Sequence, residues 1–275
     1  MKKTVTLITA LILLSSIVFA QDTLYIYKTG SVVVKRAVSA IDSIIFYQAG
    51  SSYLACGTTS AVTDIDGNTY NTVSIGSQCW MGGNLKTTKY CDNTAIPNVT
   101  DNTAWSNLTT GAYSDYNNTA SNSNTYGRLY NWYAATDDHK ICPTGWHMPT
   151  HDEWTTLERA ICTSGTCTTD FPYDNTTSGT YGTDEGGKLK ETGYTHWLSP
   201  NTGATNSSGF TALPGGDRDT DGYFYYGGSG CAFWWSAKES DALSAWGRQL
   251  NFNNPWVTRY SESKVHGSSV RCVKD

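Results

Sequence analysis

The sequence predicts an α+β domain held together by disulfides, and three observations predict it. Short runs of β-branched and aromatic residues alternate with turn signals along most of the chain, the pattern of short strands. Two stretches, residues 126–136 and 151–162, carry helical signals instead. All eight cysteines follow a leader that marks the chain for export, an even set of the kind that forms disulfides.

The leader occupies residues 1–20. Lys2 and Lys3 precede an apolar run from Leu7 to Leu14, and Val18 and Ala20 hold the small-residue positions before a cleavage point. The mature chain is expected to begin near Gln21, secreted or kept at the cell surface or in the periplasm. No later stretch approaches the ~20 apolar residues of a membrane-spanning helix. The run "YLACG" at residues 53–57 is similar to a lipoprotein cleavage box ending in Cys56, but the hydrophobic region lies far upstream. Cys56 is therefore read as an ordinary cysteine. Losing Lys2 and Lys3 takes the formal charge from -5 to -7. That balance argues against a nucleic-acid partner, which needs a basic face.

Residues 21–50 read as a small β module. Leu24 and Ile26, a Thr29-Gly30 turn, Val32 to Val34 and a return strand from Ile44 to Tyr47 make two or three strands, too few to stand alone. Gly50-Ser51-Ser52 is the linker, and residues 51–275 are the main domain. From Thr63, a turn at Asp66-Gly67 leads into a strand with Tyr70, Val73 and Ile75 that ends in Cys79-Trp80. Residues 92–125 are rich in Asn, Thr and Ser and read as mostly loop, a long irregular stretch that is either functional or poorly ordered. "YGRLYNWYAAT", residues 126–136, suits a buried helix.

"ICPTGWHMPTHDEW", residues 141–154, poses the first chemical question. His147 and His151 are four apart, the spacing of two ligands on one helix face, but Pro149 between them costs ~3 kcal/mol inside a helix. The helix must start after it. Thr150 with Glu153 forms a capping box, Asp152 and Glu153 favour the first turn, and Trp154, Leu157 and Ile161 recur on one apolar face. A helix start explains the stretch better than a metal site. No Cys-x-x-Cys spacing occurs, which argues against a zinc ribbon or thioredoxin-like centre.

Six ordered blocks carry a family likeness: "TDIDGNTYNTVSIGSQCWMGGNLKTTKY", "GRLYNWYAA", "CPTGWHMPTHDEW", "GFTALPGGDRDTDGYF", "FWWSAKES" and "GSSVRCVKD". Together, from about Thr63 to Asp275, they resemble the Fibrobacter succinogenes major paralogous domain, a family of exported bacterial proteins common in the Bacteroidota. Residues 22–48 resemble the strand module that often precedes such domains. The resemblance implies a C-type lectin-like fold, also similar to formylglycine-generating enzymes, with two helices flanking a small twisted antiparallel sheet and long loops. It also implies a Cys142–Cys272 disulfide. Nearness suggests Cys162 with Cys167, while Cys56, Cys79, Cys91 and Cys231 stay unassigned among the 105 connectivities that eight cysteines allow.

Three chemistries compete. The sugar-coordinating calcium site of true C-type lectins does not carry over, because "IPN" at 96–98 and "SPN" at 199–201 lack the carboxylate or amide before proline. "DRDTDG", residues 217–222, offers Asp217, Asp219 and Asp221 before Gly222, half of a calcium loop. Position twelve is Gly228, so an EF-hand is excluded, and an acidic hairpin turn competes with a calcium site. Catalysis has no positive signal: no matching late cysteine pair, Gly-x-Ser-x-Gly elbow, Walker loop or His-Glu-x-x-His is present.

A binding surface remains. The chain has 18 Tyr and 10 Trp in a background of Asn, Thr, Ser and Gly, the composition of binding loops as well as of strands and turns. "YFYYGGSGCAFWWS", residues 223–236, concentrates seven aromatics, and Trp256 follows. Tyr225, Tyr226, Trp235 and Trp256 are expected at the surface as ligand contacts, with Phe224, Phe233 and Trp234 in the core. The expected function is non-catalytic recognition of glycan or protein ligands at the cell surface. Its rivals are a structural or adhesive role and, more remotely, an enzyme related to the formylglycine-generating enzymes.

Overall fold

The computed structural model describes residues 23–28, 31–37, 56 and 60–275 except 175, 228 and 229. The leader, the turn at 29–30, the return strand at 44–47 and the linker at 50–52 lie outside the described residues. Two compact units divide the chain at Tyr53 and Leu54. In the first, β1 (Thr23–Lys28) pairs antiparallel with β2 (Ser31–Ala37), with a register shift between Ile26 and Tyr27.

The second unit mixes helices with antiparallel sheets. β3 (Ala61–Thr63), β4 (Thr69–Ile75) and β5 (Gln78–Met81) form a meander. α1 (Asn102–Ser106), β6 (Tyr113–Ser114), α2 (Ala120–Tyr126), β7 (Leu129–Tyr130) and α3 (Trp132–Ala135) follow. After them come β8 (Trp146–His147), α4 (His151–Ile161), α5 (Cys167–Asp170), β9 (Gly179–Tyr181) and α6 (Glu185–Leu189). The last third is β10 (Asp217–Arg218), β11 (Phe224–Tyr225), β12 (Cys231–Glu239), β13 (Ser244–Asn251), β14 (Val257–Ser263) and β15 (Val273–Lys274). The two larger sheets have the orders β3-β4-β5-β15-β8 and β12-β13-β14-β9. No described helix is long and apolar enough to cross a membrane.

The helix start at residue 150 forms as its chemistry requires. The Thr150 hydroxyl accepts from the Glu153 amide, and the Glu153 carboxylate accepts from the Thr150 amide at 2.8 Å. Trp154 and Leu157 are buried. The single helix expected over 126–136 does not form. Gly127, at φ +79°, closes α2 by donating to the Ser123 carbonyl, and a Cβ there would collide with Asn84 and Leu85. Leu129 and Tyr130 then pair with β6, and the Asn131 side chain caps α3 by accepting from Ala134. A glycine break and an Asn cap thus override the apolar run. Residues 92–125 are mostly loop, as expected, with the short α1 and α2 within them. Among the described residues six α-helices replace the expected two, and α4 is the only one of them longer than seven residues.

Two aromatic clusters make the core. In one, Phe210 lies 5.7–6.0 Å edge-on to Trp80, Trp154 and Trp234. The other contains Trp235, Tyr130 and Met81 together with the Cys142–Cys272 disulfide. Truncating a buried ring of this size to alanine typically costs ~3–5 kcal/mol.

Loops of this length expose carbonyls that neither helix nor sheet satisfies, and buried carbonyls need partners. Here buried cations provide them. The Lys190 ammonium donates to the carbonyls of Thr202, Asn251 and Asn254, each at 2.9 Å. Arg218 donates to the carbonyls of Gly222, Val99 and Thr100 while stacking on Trp105 and Phe224. Arg271 donates to Asn84 and the Phe210 carbonyl, over the Phe210 ring. Burial without an acidic partner pulls Lys190 down to about 8 and Arg271 to about 9.

Three disulfides form: Cys142–Cys272, Cys162–Cys167 and Cys56–Cys79. Cys91 and Cys231 are free, so the even count does not translate into four bridges.

Candidate functional site

The hairpin of β10 and β11 builds the most distinctive surface. Asp217 pairs with Tyr225 and Arg218 with Phe224, so Asp217 and Tyr225 lie on one face and Arg218 and Phe224 on the other. The turn between them requires Gly222: its φ is +84°, and a Cβ would sit 2.4 Å from the Asn102 carbonyl oxygen. Arg218, locked beneath by carbonyls and two rings, fixes the hairpin from below. Its outer side presents Tyr223 at 58%, Tyr225 at 40% and Tyr226 at 60% exposure.

The rings are linked. Tyr225 and Tyr226 have centroids 6.3 Å apart, Tyr226 meets Phe233 at 6.1 Å, and Phe233 stands edge-on to Tyr260 at 5.8 Å. Tyr226 has φ +56°, a left-handed backbone that strains a bulky side chain. Tyr260 and His266 sit in no sequence motif; the β14 strand and the pairing of Gly267 with Arg218 bring them here.

Asp217, Asp219 and Asp221 do not converge, which corrects the calcium expectation for this arrangement. The Asp217 carboxylate is buried, with one oxygen 2.9 Å from His266 Nε2, whose other ring nitrogen is 3.2 Å from the Ser268 hydroxyl. Asp219 accepts from the adjacent Thr220 amide. Asp221 accepts from the Tyr223 amide and the Tyr225 hydroxyl. Each acid serves its own turn or neighbour, and among the described residues no group of three or more His, Cys, Asp or Glu could hold a metal ion. A calcium loop needs several oxygens aimed at one point.

Trp235 is the second correction. It is fully buried, and its indole donates to the Tyr130 carbonyl at 2.9 Å. All residues from Cys231 to Ser236 are buried because β12 is covered on both faces, so Trp234 enters one core cluster and Trp235 the other. Alternation therefore cannot bring Trp235 to the surface. Phe233 and Trp234 are buried as expected, and Phe224 is half-buried. Trp256 is 38% exposed, in the turn between β13 and β14. Cys231 pairs with Asn251, so that turn lies at the end of the sheet where β12 begins, the end to which Tyr226 leads.

The histidines of the 141–154 stretch occupy separate environments. His147 bridges Asp275 through Nδ1 at 2.6 Å and Glu153 through Nε2 at 2.8 Å. Burial pulls its pKa down, but the two carboxylates prevail and hold it above the ordinary value. His151 is buried against Arg248, whose guanidinium donates to its Nδ1, and donates from Nε2 to the Asp174 carbonyl. Burial and the charges of Arg248 and Arg259 push its pKa down to about 3, so it is neutral at physiological pH.

Neither free thiol is activated. Burial pushes Cys231 up to about 11, with Gln249 and Asn251 amides against its sulfur. Burial also raises Cys91, which donates to the Cys142 carbonyl. Thiolate, the nucleophilic form, is therefore scarce at neutral pH.

This combination defines a class: a disulfide-stapled α+β domain whose loops are anchored by buried cations and display aromatic side chains. The chain belongs to the Fibrobacter succinogenes major domain family, whose model matches residues 73–274. Neither a curated protein nor a solved structure matches it.

Proposed function

We propose that the protein is an exported, non-catalytic glycan-binding protein of the cell surface, with a main domain of C-type lectin-like arrangement and a β module in front. Its contact surface is the ridge of Tyr223, Tyr225 and Tyr226, extended toward Trp256, with Asp219 and Asp221 accepting from sugar hydroxyls at its edge.

The observation that carries this reading is Tyr226. A tyrosine with 60% exposure at φ +56° gains little packing while holding a backbone conformation that costs about 1–3 kcal/mol. Strain of that kind, retained on an exposed ring, favours a role in presenting the ring. Aromatic faces stack on the C–H faces of sugar rings, and flanking carboxylates orient the hydroxyls. The raised thiols of Cys91 and Cys231 support binding over cysteine chemistry of the formylglycine-generating type.

The test is a glycan array probed with the wild type and with Tyr225→Ala and Tyr226→Ala, beside a pull-down from envelope extract. Binding to free oligosaccharide that both variants weaken supports the reading. Capture of envelope protein with no oligosaccharide binding overturns it in favour of an adhesive role.

A further inference from the structure

A second surface lies apart from the tyrosine ridge. Between α3, β8 and the C-terminal part of β12, a cavity of about 430 Å³ opens beside Asp275. That volume falls within the ~300–1,000 Å³ of small-molecule sites. The apolar part of its wall is formed by Ala135, Ile141, Trp146, Met148 and Ala237, and the rest is polar. They are also fixed in place, because Cys142 on the wall is bonded to Cys272 and Trp146 pairs with Lys274 across β8 and β15.

The polar groups at its mouth divide into two kinds. The Asp137 carboxylate accepts from the His139 amide at 2.9 Å, and the Asp275 carboxylate holds His147. Asp138 and Lys140 also line the cavity; among the described residues neither side chain makes a hydrogen bond or a contact ion pair, and their charges act only at longer range, Asp138 on His139 and Lys140 on Cys91. One anion and one cation, neither in a contact pair among the described residues, thus border a space with a partly apolar wall. Lys140 is also strained, with φ +59°; of the eight non-glycine residues at positive φ among the described residues, five are asparagine, which tolerates that region, and Lys140 is not. Its amide donates to the Asp137 carbonyl at 2.9 Å and its carbonyl accepts from Cys91 at 2.8 Å, which hold the backbone there.

We propose that this cavity is a ligand site for a small zwitterion with an apolar body, the chemistry of a free aliphatic α-amino acid. Asp138 receives the ammonium group, Lys140 the carboxylate, and the wall around Met148 and Trp146 the side chain. The already occupied His147–Asp275 pair closes one side of the mouth without competing for either charge.

The experiment is a calorimetric and NMR titration of the exported chain with leucine and methionine, using n-butylamine and butyrate as single-charge probes. Saturable binding is expected for both amino acids, with butylamine and butyrate each weaker by about tenfold, the worth of one lost charged contact. Asp138→Asn and Lys140→Gln are exposed substitutions that leave the melting temperature unchanged, and each is expected to weaken leucine binding by about fivefold or more. Ala237→Leu, which fills the space from its half-buried wall, is expected to abolish it. No saturation with leucine, equal binding of butylamine, or full binding by Asp138→Asn and Lys140→Gln each overturns the proposal. Glycan binding by the ridge is read separately and is unchanged in these variants, so the two sites stand or fall independently.

Discussion

Arg248 and Arg259 face each other across the ladder of β13 and β14, and Glu158 of α4 lies between their guanidinium groups. Arg259 donates to one carboxylate oxygen at 2.7 Å and Arg248 to the other, with all three side chains fully buried. Two like charges directly opposite on a sheet repel unless an anion separates them. Glu158 therefore holds helix and sheet together by neutralising a repulsion that the strand register creates.

Glu158→Ala is accordingly expected to lower stability by about 3–5 kcal/mol, since it leaves two buried cations uncompensated. Denaturant titration measures this. A loss below about 1 kcal/mol, the usual size for an exposed ion pair, would mean that water reaches the cluster.

Acid sensitivity follows from His151. The folded protein refuses its proton until about pH 3, whereas the unfolded chain takes one near 6.5. The unfolded state binds more protons between those values, so this contribution to stability is complete above about pH 6.5 and is lost as pH falls toward 3. His151→Gln should flatten that part of the melting temperature profile relative to the wild type. Parallel profiles for the two proteins would refute the assignment.

The disulfides should differ in worth. Cys142–Cys272 closes a sequence separation of 130 and Cys162–Cys167 one of 5, so loop-closure entropy assigns them about 5 and about 2 kcal/mol. Paired Cys→Ala variants, compared by chemical denaturation, should show that order. The reverse order would place most of the effect in the folded state.

Tyr226 separates stability from binding. Tyr226→Asn keeps the left-handed backbone with a residue that tolerates it, and should leave stability unchanged or raise it by up to about 1 kcal/mol. Glycan binding should fall in the same variant. Trp235→Phe is the contrast: the ring is buried, so stability should drop without selective loss of ligand. A Trp235→Phe protein of normal stability that has lost binding would restore Trp235 as a contact.

Local chemistry in the chain decided the local features. Pro149, Thr150 and Glu153 dictate where α4 begins, and the six motif blocks dictate the family, because capping and motif spacing depend on neighbours a few residues apart. The two disulfides named from the chain, Cys142–Cys272 and Cys162–Cys167, form; Cys56–Cys79 and the two free thiols emerge only from the fold.

Tertiary packing decided the rest. Alternation along "FWWS" places Trp234 and Trp235 on opposite faces, but whether either face meets water depends on what covers β12, and both are covered. Spacing in "DRDTDG" resembles a calcium loop, yet hairpin pairing turns Asp217 inward to His266, 49 residues away, and leaves Asp219 and Asp221 on their own turn. The same holds for Lys190, Arg218 and Arg271, whose partners are carbonyls of distant loops. A side chain's type and spacing set what it is able to bind; the fold sets what stands beside it.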